Sequence, residues 1–148
     1  SVTVIGMEAF SENTLTNVTI PNSVTEIGAS AFRDNALTSV VIPNSVAVIG
    51  QGAFNQNKIT MVNGLASNGF IYARNTDGTD NIKTIISYGG KVKEVIIPNS
   101  VTEIGDGTLY GNKLTTVIIP DSVISIGAYA FYGNELTTVT IPDSVISI

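Results

Sequence analysis

The dipeptide Ile-Pro returns at a fixed interval. Pro21 and Pro43 are one 22-residue period apart, and Pro98, Pro120 and Pro142 follow one another by the same period. Many other positions recur in step, so the unit reads roughly L-T-x-V-x-I-P-(N/D)-S-V-x-x-I-G-x-x-A-F-x-x-N-x. A unit of this size cannot bury an apolar face alone, whereas stacked copies can. The repeat therefore predicts a repeat solenoid, mainly β with short helical or 3₁₀ turns. It has one 22-residue coil per repeat and parallel strands about 4.8 Å apart. Six coils would make a short rod or arc.

Each recurring position has a physical reading. In LTSVVIP, Leu37, Val40 and Ile42 return as Leu114, Val117 and Ile119, and their β-branched content predicts a short strand. Pro43 ends it, because proline has no N–H for the ladder. The following PNS or PDS is turn chemistry. SVAVIG is a second short strand with Val46 and Ile49 inward, and Gly50 suits a tight corner. The Ala-Phe pair then supplies the large side chain. We read it as one helical or 3₁₀ turn that places Phe10, Phe32, Phe54, Leu109 and Phe131 in one interior row. Asn13, Asn35, Asn57, Asn112 and Asn134 form a further column, read as side chains that bond the backbone of their own coil and its neighbour.

Composition narrows the function classes. The chain has 148 residues, 43% hydrophobic and only 13% charged, which is too apolar for a disordered chain. Seven Lys and Arg against a net charge of −5 argue against nucleic acid and against a basic face for anionic lipids. No apolar run reaches the length of a membrane helix, so no membrane insertion is expected in this segment. With no Cys there is no disulfide framework and no thiolate metal site. With no His, the usual triads and His-metal sites are also missing.

The unit IP(N/D)SV…IG…AF resembles the BspA-like leucine-rich repeat of bacterial surface proteins, over most of the chain. Relatives often carry Cys where this chain carries the recurring Asn. The resemblance implies a leucine-rich-repeat-like shape, an extracellular or cell-surface location, and adhesion or host contact through a host or matrix protein or glycan.

Two irregularities interrupt the pattern. Ser1-Val2 aligns with Ser23-Val24, and Ile148 with Ile126, so the chain begins and ends in mid-repeat. Residues 1–148 are thus expected to be a single solenoid from a longer array, with uncapped ends prone to end-to-end self-association. The second irregularity is central. Pro98 falls two and a half periods after Pro43 rather than a whole number. The pattern is read as continuing to about Ile71, with Leu65 in the proline position. Residues 70–90 then predict an irregular hairpin insert, departing from the coil outline, with Asp77-Gly78 near its tip.

No motif asks for catalysis. Gly89-Gly90-Lys91 lacks the rest of a phosphate loop. Glu26 and Glu103 occupy equivalent repeat positions several coils apart, unlike a glycosidase pair. Asp77–Asn81 offers oxygen ligands but not the length or closing Glu of a calcium loop, and reads as a polar turn. No metal site or cofactor is predicted.

The candidate binding residues lie on faces. One outward column of the first strand holds Thr19, Val41, Asn63, Ile96, Ile118 and Thr140, where apolar exposure at Val41, Ile96 and Ile118 marks either a partner site or plain β-propensity. Tyr110, Tyr129 and Tyr132 form a second group, read as carbohydrate- or protein-contact residues or as cover over the corner. Asp77, Gly78 and Asp80 are a candidate recognition hairpin. The expected function is a non-catalytic protein- or glycan-binding segment, with a rigid spacer as the alternative.

Overall fold

The computed structural model describes all of residues 1–148. Its strands are β1 (Val4–Ile5), β2 (Glu26–Ile27), β3 (Ser39–Val40), β4 (Val48–Ile49), β5 (Met61–Val62), β6 (Leu65–Ala66), β7 (Phe70–Arg74), β8 (Asp80–Tyr88), β9 (Glu94–Ile96), β10 (Glu103–Ile104), β11 (Thr116–Ile118) and β12 (Ser125–Ile126). They wind a solenoid with parallel ladders. Ile5, Ile27 and Ile49 are in register in β1, β2 and β4. Ile85, Ile104 and Ile126 do the same in β8, β10 and β12. Before the prolines, Val40 pairs with Val62 and Val95 with Val117.

The turn after each proline is the predicted one. The N–H of Val24, Val46 and Val101 donates to the carbonyl of Pro21, Pro43 and Pro98 at 3.0 Å in each case. Each turn thereby rotates the chain from the first strand to the second and buries the valine behind it.

The Ala-Phe corner differs from expectation: it contains no helix. Ser30 and Asp34 both hold φ at 54°, and the same two corner positions are left-handed in every coil that has the corner. The intervening turns close locally, Ala31 N–H to Gly28 O at 3.3 Å and Arg33 N–H to Ser30 O at 3.1 Å. The alternation leaves the N–H groups of Ser30, Phe32 and Asp34 pointing along the rod. They donate to Gln51, Ala53 and Asn55 carbonyls at 3.0, 2.8 and 3.0 Å. A helical turn would spend those donors inside one coil and leave the next coil unbonded.

The asparagine column behaves as read except at Asn13, whose side chain bonds only Phe10 O and Ser11 O of its own coil. Asn57 Nδ2 donates to Phe32 O and Phe54 O, both at 2.9 Å, while its Oδ1 accepts the Leu37 N–H at 3.0 Å. Asn35 and Asn134 repeat this bridge between coils.

At the centre the chain turns back earlier than expected. Asn63 (φ 51°) and Gly64 (φ 78°) form a two-residue turn between β5 and β6, which pair antiparallel. Positive φ at both positions is what such a turn needs. Leu65 therefore does not fill a proline position; it lies on the returning strand, exposed. The predicted hairpin follows, with β7 antiparallel to β8 and Arg74 paired with Asp80. Asp77-Gly78 sits at the tip, where Gly78 N–H donates to Asn75 O at 3.0 Å. The hairpin is less of an outgrowth than expected. Its second strand joins the parallel ladder beside β10. Its tip lies flat on the Pro43–Val46 turn, where a Cβ at Gly78 would fall 1.8 Å from the Asn44 carbonyl oxygen.

This insertion divides the core in two. Neighbouring residues on a strand face opposite ways, so Ile71 joins the cluster of Phe32 and Phe54, and Phe70 joins that of Leu109 and Tyr88. The expected single aromatic row is accordingly interrupted. Phe10, Phe32 and Phe54 stack at 5.4 and 5.3 Å, whereas Leu109 and Phe131 belong to the second cluster. Phe10 is not interior: it is 46% exposed, since no coil of the structure covers its outer side.

Candidate functional site

The hairpin coil has no Ala-Phe corner. Gly89 and Gly90 carry the chain directly on, packed so tightly that a Cβ at Gly89 would lie 2.6 Å from the Phe54 carbonyl oxygen. The Phe54 corner is thereby brought against the Leu109 corner, two and a half periods further along the chain, and side chains replace the missing backbone. Phe54 N–H donates to Ser87 Oγ at 3.0 Å, where its counterpart Phe32 uses a carbonyl. Gln56 N–H donates to Asn112 Oδ1 at 2.8 Å. Asn55 is the centre of this junction. Its Oδ1 accepts from Ser87 Oγ at 2.7 Å and Tyr88 N–H at 3.0 Å, and its Nδ2 donates to Gly107 O at 2.9 Å and Tyr110 O at 3.2 Å. All four capacities of a buried carboxamide are used. The signal in the sequence was its position: the equivalent residues are Ser11, Arg33, Tyr110 and Tyr132, all of another kind.

The closed junction assembles an aromatic surface. Tyr110 and Tyr132 stack at 5.4 Å, and Tyr129 meets Tyr132 edge-on at 6.0 Å. The Arg33 guanidinium lies 5.8 Å from the centre of the Tyr110 ring, reaching over Asn55, and its Nη2 pairs with Glu12 at 3.3 Å. Arg33 Nε is buried without a hydrogen-bond partner. A cavity of about 230 Å³ opens here, lined by Arg33, Gln51, Asn55, Tyr110 and Tyr129 among others. Tyr129 is 72% exposed and holds φ at 57°. A bulky ring in that conformation is strained, and the sister positions carry Glu8, Ser30, Gly52 and Gly107.

The sheet residues are exposed but not continuous. Ile96 and Ile118 are in register and 66% and 53% exposed. Val41 is exposed just past the end of β3, whose sheet is closed off by the antiparallel β6 and does not join that of Ile96 and Ile118. Thr19 and Thr140 are exposed outside any strand. The structure thus brings the three tyrosines together and separates the column that the repeat alone suggested was one surface.

The hairpin residues are engaged internally. Arg74, almost fully buried, pairs with Asp80 at 2.6 Å and donates to Val46 O at 3.0 Å, Pro43 O at 3.2 Å and Gly78 O. Asp77 Oδ1 accepts from the hydroxyl and the N–H of Thr79, which holds its carboxyl below the usual carboxylate range. Burial raises Tyr72, with Asp80 adding to it. No group of three or more acidic side chains gathers as a metal site would need. Glu26 and Glu103 lie in different sheets.

One expectation from composition is overturned. Four of the five lysines, Lys58, Lys91, Lys93 and Lys113, line a single groove of about 770 Å³ beside the junction. A low overall count concealed a local basic face. The clue was in the repeat numbering, since Lys91 and Lys113 are one full period apart.

A family model described as "BspA type Leucine rich repeat region" matches this chain in six copies, over residues 1–88 and 80–148. Among solved structures, a leucine-rich cell surface protein from Faecalibacterium prausnitzii A2-165 is 31% identical, with a TM-score of 0.72 over 97% of this chain and 40% of its own. A leucine-rich repeat protein from Eubacterium ventriosum is 28% identical, with a TM-score of 0.68 over 96% of this chain and 40% of its own. The pneumococcal vaccine antigen PcpA shares the fold at 20% identity, with a TM-score of 0.71 over 97% of this chain and 38% of its own. The chain therefore spans about 40% of the length of such structures. No curated protein matches its sequence.

Proposed function

We propose that this chain, which belongs to the BspA-type leucine-rich repeat family, is a non-catalytic binding segment of a bacterial surface or secreted protein, and that its tyrosine corner contacts a host or matrix protein or glycan. The observation that carries this reading is Tyr129. An exposed aromatic side chain in a left-handed conformation costs about 1–3 kcal/mol, and within the chain only the edge contact with Tyr132 at 6.0 Å sets against it. Tyr suits wet interfaces, where the ring covers apolar surface and the hydroxyl stays hydrogen-bonded. The match to a structure named as a cell surface protein supports the location. No helix is long and apolar enough to cross a membrane.

The test is attachment of the purified protein to arrayed matrix proteins and glycans. Tyr129→Ala with Tyr132→Ala should abolish it while the fold stays intact, with only the small drop in melting temperature that loss of the Tyr110–Tyr132 stack explains. Alanine at Val41, Ile96 and Ile118 should matter less, because those residues do not form one surface. Attachment unchanged by the tyrosine variants, with the fold intact, would remove the corner as the contact face.

The rigid spacer is the second reading, and the engaged hairpin supports it: Asp80 and Gly78 hold the insert to the rod and leave it little to present. A spacer would tolerate all of these substitutions. End-to-end association through the exposed Phe10, Ile146 and Ile148 belongs to the same reading. Sedimentation of the purified chain should show mass increasing with concentration, and a strictly monomeric species would overturn it.

A further inference from the structure

Three lysines of the groove occupy one repeat position. Lys113 follows Asn112 as Lys58 follows Asn57, and Lys91 lies one full period before Lys113. Lys91 and Lys113 therefore precede paired strands, β9 and β11, as successive rungs about 5 Å apart, and Lys58 lines the same groove from the far side of the β5–β6 turn-back. Lys58, Lys91 and Lys113 are exposed, and none has a salt-bridge partner. Lys93 has only a loose one, Glu135 at 4.0 Å. Asp34 is the single acidic residue of the groove, so its lining carries four positive charges and one negative, 4 − 1 = +3. The whole chain carries −5.

This arrangement is costly for the free protein. Like charges facing one another on adjacent rungs are destabilising. At Lys113 the backbone is also left-handed, φ 56°, whereas Thr14, Ala36, Lys58 and Glu135 at the same repeat position are not. A bound anion offsets the repulsion.

The geometry points to a short segment of an acidic glycan, one bearing carboxylate or sulfate groups at regular intervals, as the ligand of this groove. The remaining lining is amide, hydroxyl and glycine, including Gln56 and Asn112, with Ala36 its one hydrophobic residue. Such a surface suits sugar hydroxyls. It offers no aromatic platform for bases, which single-stranded nucleic acid binding requires, and the −5 chain repels a long polyanion beyond the groove. The site is distinct from the tyrosine corner, and its test separates the two.

The experiment is calorimetric titration of the purified protein with oligogalacturonate, which carries carboxylates, and with heparin oligosaccharides, which add sulfates. Binding of either is expected, weakening at least tenfold between about 50 and about 200 mM salt, as release of counterions from several contacts requires. The triple variant Lys58→Gln, Lys91→Gln, Lys113→Gln should weaken binding at least tenfold and should melt no lower than the parent, because it relieves repulsion. Lys83→Gln, outside the groove, should leave affinity unchanged. Binding of only one probe assigns the anion as carboxylate or sulfate. Binding of neither, an equal loss with Lys83→Gln, or equally tight binding of a single-stranded oligonucleotide would overturn the assignment.

Discussion

Asn55 Nδ2 donates to the Gly107 carbonyl at 2.9 Å, joining two corners whose coils are separated in sequence by the entire hairpin. The side chain is 1% exposed, so no water replaces it. Asn55→Ala strands the Ser87 hydroxyl and the Tyr88 N–H, each worth about 1–3 kcal/mol when buried unpaired. A total loss of about 3 kcal/mol is expected in chemical denaturation. A variant within about 0.5 kcal/mol of the parent, the range of a neutral surface change, would show that the corners meet without it.

The inward and outward positions should separate cleanly. Phe54 is fully buried in the stacked row and Thr140 is exposed. Phe54→Ala should cost about 3–5 kcal/mol, and Thr140→Ala should stay within about 0.5 kcal/mol. Equal effects would refute the assignment of faces.

Asp80 holds the hairpin down through Arg74. Removing the carboxylate leaves a buried guanidinium with only carbonyl partners, which for a fully buried pair costs about 3–5 kcal/mol. Asp80 is itself 35% exposed, which places Asp80→Ala near the low end, about 3 kcal/mol. Faster amide exchange at residues 72–82 should accompany the loss. Unchanged exchange would mean that the hairpin is held by its apolar base alone.

Tyr88 provides a pH signature. Burial pushes its hydroxyl from 10.0 to about 12, and in its protonated form that hydroxyl donates to Val92 O at 2.9 Å. The folded state thus keeps a proton that the unfolded state releases. The contribution to stability is complete below pH 10, and it is lost as the pH rises from 10 through about 12. Absorbance titration should show a late-ionising tyrosine that disappears in Tyr88→Phe, whose stability should fall less over that window. Full ionisation of all tyrosines near pH 10 in the folded protein would contradict the burial.

The repeat established the solenoid, the parallel ladders, the proline turns and the structural asparagines, because each depends on contacts with a neighbour of the same composition one period away. Asp77-Gly78 likewise marked the hairpin tip by local turn chemistry. What depended on the broken period lay outside its reach. Counting assigns Leu65 to a proline position, but the Asn63-Gly64 turn reverses the chain there. Omission of one corner then placed Asn55 against Gly107, gathered Arg33 and Tyr110 on one surface, and lined up lysines that look scattered along the chain. A period specifies which residues share a column. Only packing decides which columns face each other after a coil is cut short, and both candidate sites of this protein lie at that junction.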